Sequence, residues 1–234
     1  MMLDRRTALR STAQTLLATA WPLGSAGSQS GEAWYPLKGD DGKPAANMRL
    51  PVELVSEIEH LPGVIWIGSD KTAVTLYEFY DYNCPFCRVA ARDLPKLVQS
   101  VPDLRLGLIN NAVLGLGSVQ AAKVELALLT SMGPRAAYKF HHALFETRGA
   151  KDGPSALDVA ERMGVSRAQL EGAADSSEIV RVLARQVRLA ADLGLAATPS
   201  FVAGTIGVLG YPGPKALAGI VASLDKCGEV FCPE

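Results

Sequence analysis

Two cysteines, Cys84 and Cys87, stand where a strand-like segment gives way directly to a helix-like one, and that junction constrains the fold around it more than any other feature. Val74-Thr75-Leu76-Tyr77-Glu78-Phe79-Tyr80 is rich in β-branched and aromatic residues and holds neither Gly nor Pro, as a strand should. From Cys84 onward, Ala90, Leu94, Leu97, Val98 and Val101 recur at helical spacing until Pro102-Asp103 ends the run. A C-x-x-C pair placed here puts its first sulfur where the backbone N–H groups of the helix's first turn point outward. Those donors, with the positive end of the helix dipole, favour a thiolate over a thiol.

With Cys84 as N-cap, Pro85 takes the first helical position, where its missing N–H is not needed and its fixed φ suits the helix. The Cys84 sulfur is then expected to face the N–H groups of Phe86 and Cys87, as a capping oxygen would. Pro95 falls inside the helical pattern and should kink it. A small structural bridge and half of a zinc site are the competing readings of Cys84/Cys87. Zinc would call for a second pair and a closed tetrahedral shell. The other two cysteines, Cys227 and Cys232, are five apart near the C-terminus and match that pattern poorly, so redox chemistry is preferred.

The 234 residues are 48% hydrophobic with ordinary charge content, enough to bury a core in one large or two small domains. Net charge is −1 and no basic stripe appears, which argues against a nucleic-acid or membrane-surface binder. No apolar run reaches the roughly 18 residues of a transmembrane helix. Residues 1–28 read as an address. Arg5-Arg6 precedes a modest apolar run, Thr15 to Trp21, and the small residues Gly24 to Ser28 offer a cleavage region. The paired arginines suit twin-arginine export, with Ala8 where that signal usually has Phe; a general secretory signal and a plain cytosolic tail are the alternatives. Export agrees with an even number of cysteines, which an oxidising compartment can pair.

Residues 29–61 read as a linker or N-terminal arm, rich in Gly, Pro, Asp and Lys up to Pro51, with a short helix or a partner-packing arm over Val52 to Leu61. Strands are expected at Gly63–Gly68, Val74–Tyr80 and Leu104–Asn110. A helical block follows: Ser118 to about Met132, Pro134 to near Gly149, two short helices opened by capping-box spacings at Ser155–Asp158 and Ser166–Gln169, and a longer one from about Ser177 to Gly194 as C′. Strand character returns at Ser200–Ala203 and Ile206–Leu209, before a last helix from about Gly213 to Leu224. This order describes an α/β chain with a thioredoxin fold. Residues 62–112 and 195–226 form the thioredoxin-like domain, and 113–194 form an α-helical insert between the third strand and the strand that opens at Ser200. Residues 227–234 are a tail with the second Cys pair.

Four segments carry a family resemblance: Glu78 to Cys87, Val113 to Ala122, Tyr138 to Phe145, and Ala197-Thr198-Pro199-Ser200-Phe201-Val202. In this order they resemble the DsbA-like thioredoxin-domain oxidoreductases of the bacterial envelope, over about Gly63 to Leu224. Two departures stand out. Asn110-Asn111-Ala112 replaces the Glu-Phe-Pro of many relatives, and Phe86 stands where strongly oxidising members carry His, which implies a less oxidising pair. The resemblance implies a cis Thr198–Pro199 bond. Thr198 in that place is more typical of reductase and isomerase members.

Cys84 is the expected attacking thiolate and Cys87, one turn in, the resolving thiol. Glu78 shares a strand face with Tyr80 and Tyr82; buried beneath the dithiol, it would have a raised pKa and pass a proton to or from Cys87, whereas a solvated Glu would do neither. Cys227 and Cys232 are expected to close a structural disulfide, with a second redox-active pair as the rival. His141 and His142 read as solvated or core residues and not metal ligands. The function expected is thiol–disulfide exchange on exported, periplasmic proteins, as oxidase, isomerase or reductase, without a cofactor and with a membrane redox partner. A homodimer through the N-terminal arm would suit an isomerase. The alternatives are a metallochaperone holding copper or zinc through Cys84 and Cys87, and a non-catalytic adaptor.

Overall fold

Fourteen elements follow one another in the computed structural model, which describes residues 34–70 and 74–232; the expected export signal lies outside the described residues. They are β1 (Asn47–Arg49), α1 (Val52–Glu59), β2 (Ile65–Gly68), β3 (Val74–Tyr80), α2 (Pro85–Ser100), β4 (Leu104–Asn110), α3 (Leu116–Met132), α4 (Pro134–Glu146), α5 (Gly153–Arg162), α6 (Arg167–Ala174), α7 (Ser177–Asp192), β5 (Ser200–Ala203), β6 (Ile206–Leu209) and α8 (Pro214–Cys227). The strands form one mixed sheet in the order β1-β6-β5-β3-β4-β2. Only β3 and β4 run parallel, joined by the α2 crossover. This is the thioredoxin-like fold with its helical insertion, α3 to α7, between β4 and β5.

β3 lies at the centre, hydrogen-bonded to β4 on one side and β5 on the other. Because side chains alternate across a sheet, its residues feed two cores. Leu76 and Tyr80 join α2, α3, α4 and α8 through Leu94, Leu126, Phe140 and Val221. Tyr77 and Phe79 point the other way, toward Ile58 of α1 and Leu189 and Ala190 of α7. The outcome for the site is that β3 delivers Cys84 to the start of α2 from a strand buried on both faces.

Several boundaries differ from those expected, each for a local reason. The stretch read as linker or arm supplies β1, which pairs with β6, and α1; Leu50 and Ile58 are buried in the second core, so this part of the chain packs on its own sheet. Ser118 does not cap α3, which starts two residues earlier. Its hydroxyl is buried and donates to Asp81 at 2.6 Å. The capping box of α5 is Asp152 with Ser155, not Ser155 with Asp158, and Ser166 precedes α6 without a side-chain cap. α2 continues through Pro95 to Ser100.

Gly68 ends β2 at φ +92°, and a Cβ there would sit 2.3 Å from the Leu104 carbonyl oxygen. Gly68→Ala should therefore destabilise the protein by about 2 kcal/mol or more, through left-handed strain and a backbone clash. Urea unfolding checks this as a lower midpoint at an unchanged m-value.

Candidate active site

Cys84 is the N-cap of α2, in extended conformation, with Pro85 at the first helical position. Its thiol donates to the Thr198 carbonyl at 3.0 Å, so the sulfur makes no capping hydrogen bond in this form. Thr198 precedes Pro199 across a cis peptide bond, and β5 begins directly afterwards. Cys87 lies fully buried one turn into the helix, accepting from the Asp81 N–H at 3.5 Å. Both cysteines are free thiols.

The two sulfurs are electrically unlike. Cys84 is lowered to about 6, chiefly by the Cys87 thiol, against a contrary effect of burial; the Thr198 side chain and the N–H groups of Cys87 and Phe86 add to the lowering. Cys87 is driven far up, by burial first and then by the Cys84 sulfur and Glu78. The pair thus offers one thiolate-prone sulfur, itself buried (5% exposed) but on the wall of a cleft, and one protonated reserve.

Glu78 is 1% exposed, and neither carboxyl oxygen has a hydrogen-bond partner among the described residues. It sits mid-sheet between Leu108 and Phe201. Burial raises it to about 8, with Cys84 adding to the effect. The structure therefore brings together Cys84, Cys87, Thr198, Pro199 and Glu78.

Cys227 and Cys232 are elsewhere. They are bonded to each other at the C-terminal end of α8. Gly228, beside them, shares a small cleft with Val74 at the start of β3, whereas Cys84 follows the end of that strand. A seven-residue strand spans about 20 Å.

Sequence reasoning missed the frame that holds the dithiol. Asp81 is buried and accepts four hydrogen bonds: from the N–H groups of Asn83 (2.8 Å), Val113 and Leu114 (2.9 Å each), and from Ser118 Oγ. Asn83 pairs with Lys151 as one strand pairs with another, its Oδ1 accepting from the Lys151 N–H at 2.7 Å and its Nδ2 donating to the Lys151 carbonyl at 2.8 Å. Behind them Glu125 of α3 is wholly buried. It accepts from the hydroxyls of Tyr80 and Tyr82 and from Asn110 Nδ2, with His141 Nδ1 at 3.4 Å. His141 is thus a core histidine; its neighbour His142 is half-buried, and burial followed by the charge of His141 lowers it to about 4. Asn110 and Asn111, the departures at the β4 end, are both used, Asn111 donating to the Leu195 carbonyl at 3.1 Å. The only sequence signal for this frame was the run Asp81-Tyr82-Asn83, adjoining the cysteines.

Two clefts border the first turns of α2. A larger one of about 610 Å³ is lined by Phe86 and Val89 of α2, Leu209 to Gly213, and residues of the 39–46 segment. Phe86 is 62% exposed, an apolar ring presented to solvent two residues from the reactive sulfur. Among the described residues no group of three His, Cys, Asp or Glu is placed to hold a metal ion.

The family model for a DSBA-like thioredoxin domain matches residues 75–222. Among curated proteins no sequence matches. A thioredoxin-like oxidoreductase from Silicibacter pomeroyi is 32% identical, with a TM-score of 0.67 over 72% of this chain and 95% of that one. A periplasmic thioredoxin-like protein from Salmonella enterica serovar Typhimurium is 22% identical (TM-score 0.67, 76% and 99% covered) and shares the fold. So does the catalytic domain of Proteus mirabilis ScsC, at 23% identity (TM-score 0.66, 74% and 97% covered).

Two outcomes are expected from the electrostatics. Iodoacetamide should alkylate the reduced protein at Cys84 alone, with a rate that rises through pH about 6 and levels off above it, read by peptide mass. Glu78 binds its proton more tightly folded (about 8) than at its ordinary value of 4.5. Its contribution to stability is therefore complete below pH about 4.5 and is lost as pH rises through about 8. Urea unfolding of the reduced wild type and Glu78→Gln should show wild type losing a few kcal/mol relative to the variant across that window, and nothing above it. Cys84 adds to the raising of Glu78, so the difference reports Glu78 together with its coupling to Cys84.

Proposed function

The chain belongs to the family of DSBA-like thioredoxin domains and is a thiol–disulfide oxidoreductase; on that premise we propose that it exchanges disulfides with exported proteins in the periplasm, at an intermediate redox potential. The observation that carries the reading is the pairing of a thiolate-prone Cys84 at the start of α2 with a buried, protonated Cys87 behind it.

In the reducing direction the Cys84 thiolate attacks one sulfur of a client disulfide. A Cys84–client disulfide forms and the other client sulfur leaves as a thiolate. Cys87 then loses its proton to the ionised fraction of Glu78, a minority at neutral pH because burial raises Glu78 to about 8, and attacks the Cys84 sulfur. The Cys84–Cys87 bond closes and the client leaves reduced. Oxidation is the same sequence run backwards, and neither direction calls for a cofactor. The backbone beside cis-Pro199 faces the reacting sulfur, and an extended client strand is the partner that fits it. The apolar cleft around Phe86 and Val89 suits a polypeptide substrate. The Cys227–Cys232 bond, at the far end of β3, is assigned a structural role.

The intermediate potential follows from the Cys84 thiolate. At pH 7 a pKa of about 6 lowers the reduced form by about 1.4 kcal/mol, or about 30 mV for two electrons. A thiol at about 3.5, the low end for such sites, would contribute roughly three times as much. Phe86, in place of His, points the same way. A homodimer through the N-terminal arm gains no support from a packing that buries Leu37, Leu50 and Ile58 within the chain itself. Metal carriage through Cys84 and Cys87 lacks a third ligand among the described residues.

Equilibration with glutathione buffers, with each cysteine mapped by alkylation, tests the reading. The Cys84/Cys87 couple should fall near the middle of the span from about −270 to about −120 mV covered by such dithiols. A value at the oxidising end would instead make the protein a dedicated disulfide donor.

A further inference from the structure

Beside Cys84, and sharing no residue with the apolar cleft, lies a smaller one of about 210 Å³, lined by Tyr82, Asn83, Cys84, Pro85, Arg88 and Gly149. The reactive sulfur belongs to its wall. Arg88 sits one turn along α2, its backbone N–H bonded to the Cys84 carbonyl at 3.3 Å. The facing α4–α5 loop brings Gly149 to the rim, with exposed Arg148 before it and Lys151 after it. Lys151 is fully buried, its ammonium donating to the carbonyls of Thr147 (2.8 Å) and Gly149 (2.7 Å). Burial lowers it, and the charge of Arg88 lowers it further, so the two cations feel each other across this loop.

The neighbouring carboxylates are all engaged elsewhere. Glu146 pairs with Arg92 at 3.1 Å, Asp152 caps α5, and Asp81 is saturated by its four donors. Among the described residues no carboxylate pairs with Arg88, Arg148 or Lys151. An unbalanced cationic patch beside a nucleophile favours an anionic partner and speeds its approach. The volume holds several waters, and so a carboxylate side chain.

We propose that the cleft between Arg88 and Gly149 is a subsite for a carboxylate carried close to the reacting sulfur of the partner, on glutathione or on an acidic residue beside a client cysteine. This rests on the exchange reading above. The bond changes are unchanged: Cys84 bonds to the partner sulfur and the second partner sulfur leaves as a thiolate. Arg88 selects among partners, and with Phe86 and Val89 on another face of α2 the two sides of Cys84 discriminate differently, one by charge and one by apolar contact.

The test measures second-order rates of the reduced protein with peptide disulfides in which Glu, Gln or Lys follows the cysteine, and with glutathione disulfide. Each rate is divided by that for hydroxyethyl disulfide, an uncharged reagent that reports the dithiol chemistry itself. Wild type should favour the Glu peptide over the Lys peptide by about three- to tenfold at low salt, less at about 0.5 M salt. Arg88→Met should bring the ratio near one, Arg88→Glu should invert it, and Arg88→Lys should keep it. Loss confined to the peptides identifies a client side chain as the natural occupant; loss confined to glutathione disulfide identifies glutathione. A ratio that Arg88→Met leaves intact for both overturns the subsite. Failure of wild type to react even with hydroxyethyl disulfide overturns the exchange reading, and the subsite with it.

Discussion

The Asp81 carboxylate ties three separate parts of the chain together at one point. It accepts from the backbone just before Cys84, from the segment that leaves β4, and from the first turn of α3. Hydrogen bonds to a buried charge are among the stronger ones available to a protein, each worth about 1.5–3 kcal/mol. Asn83 extends the joint to the α4–α5 loop through its two bonds to Lys151. The helical insert is thereby held in register with the dithiol, and both clefts beside Cys84 keep their shape.

Within that frame the chemistry is a matter of placing charge. Cys84 gains a helix N-terminus and the Thr198 side chain; Cys87, one turn further on, has burial and the negative groups around it. Glu78 occupies the same apolar face without a hydrogen-bond partner among the described residues, and so holds its proton into the neutral range. Glu125 of α3 is the opposite case. Two tyrosine hydroxyls and an asparagine amide satisfy it, whereas the Glu78 oxygens have no such donors among the described residues.

Much of the fold could be read from periodicity. β3 and β4 fall on the expected residues, because both are short, mainly apolar segments bounded by turns. α2 was marked by its spacing and by Pro85, and the end of α7 by Gly194 at φ +73°. The helix starts in the insert were read less well. Ser118 and Ser166 have the residue type of a cap, but Ser118 is taken by Asp81, a partner 37 positions away. β1 was missed altogether: three residues, Asn47–Arg49, acquire strand character only by pairing with β6, some 160 positions later in the chain.

The placement of Cys84, Cys87 and Glu78 was legible because it depends on neighbours close in sequence: a strand, an N-cap and a strand face. The cationic cleft, the Asp81 joint and the Glu125 cluster were not, since each assembles residues from distant elements whose partners no local pattern announces. Local spacing settles which atoms can react, because helix ends and strand faces repeat every few residues. Tertiary packing settles what those atoms meet, because burial and charge balance come from chain segments that only folding brings together.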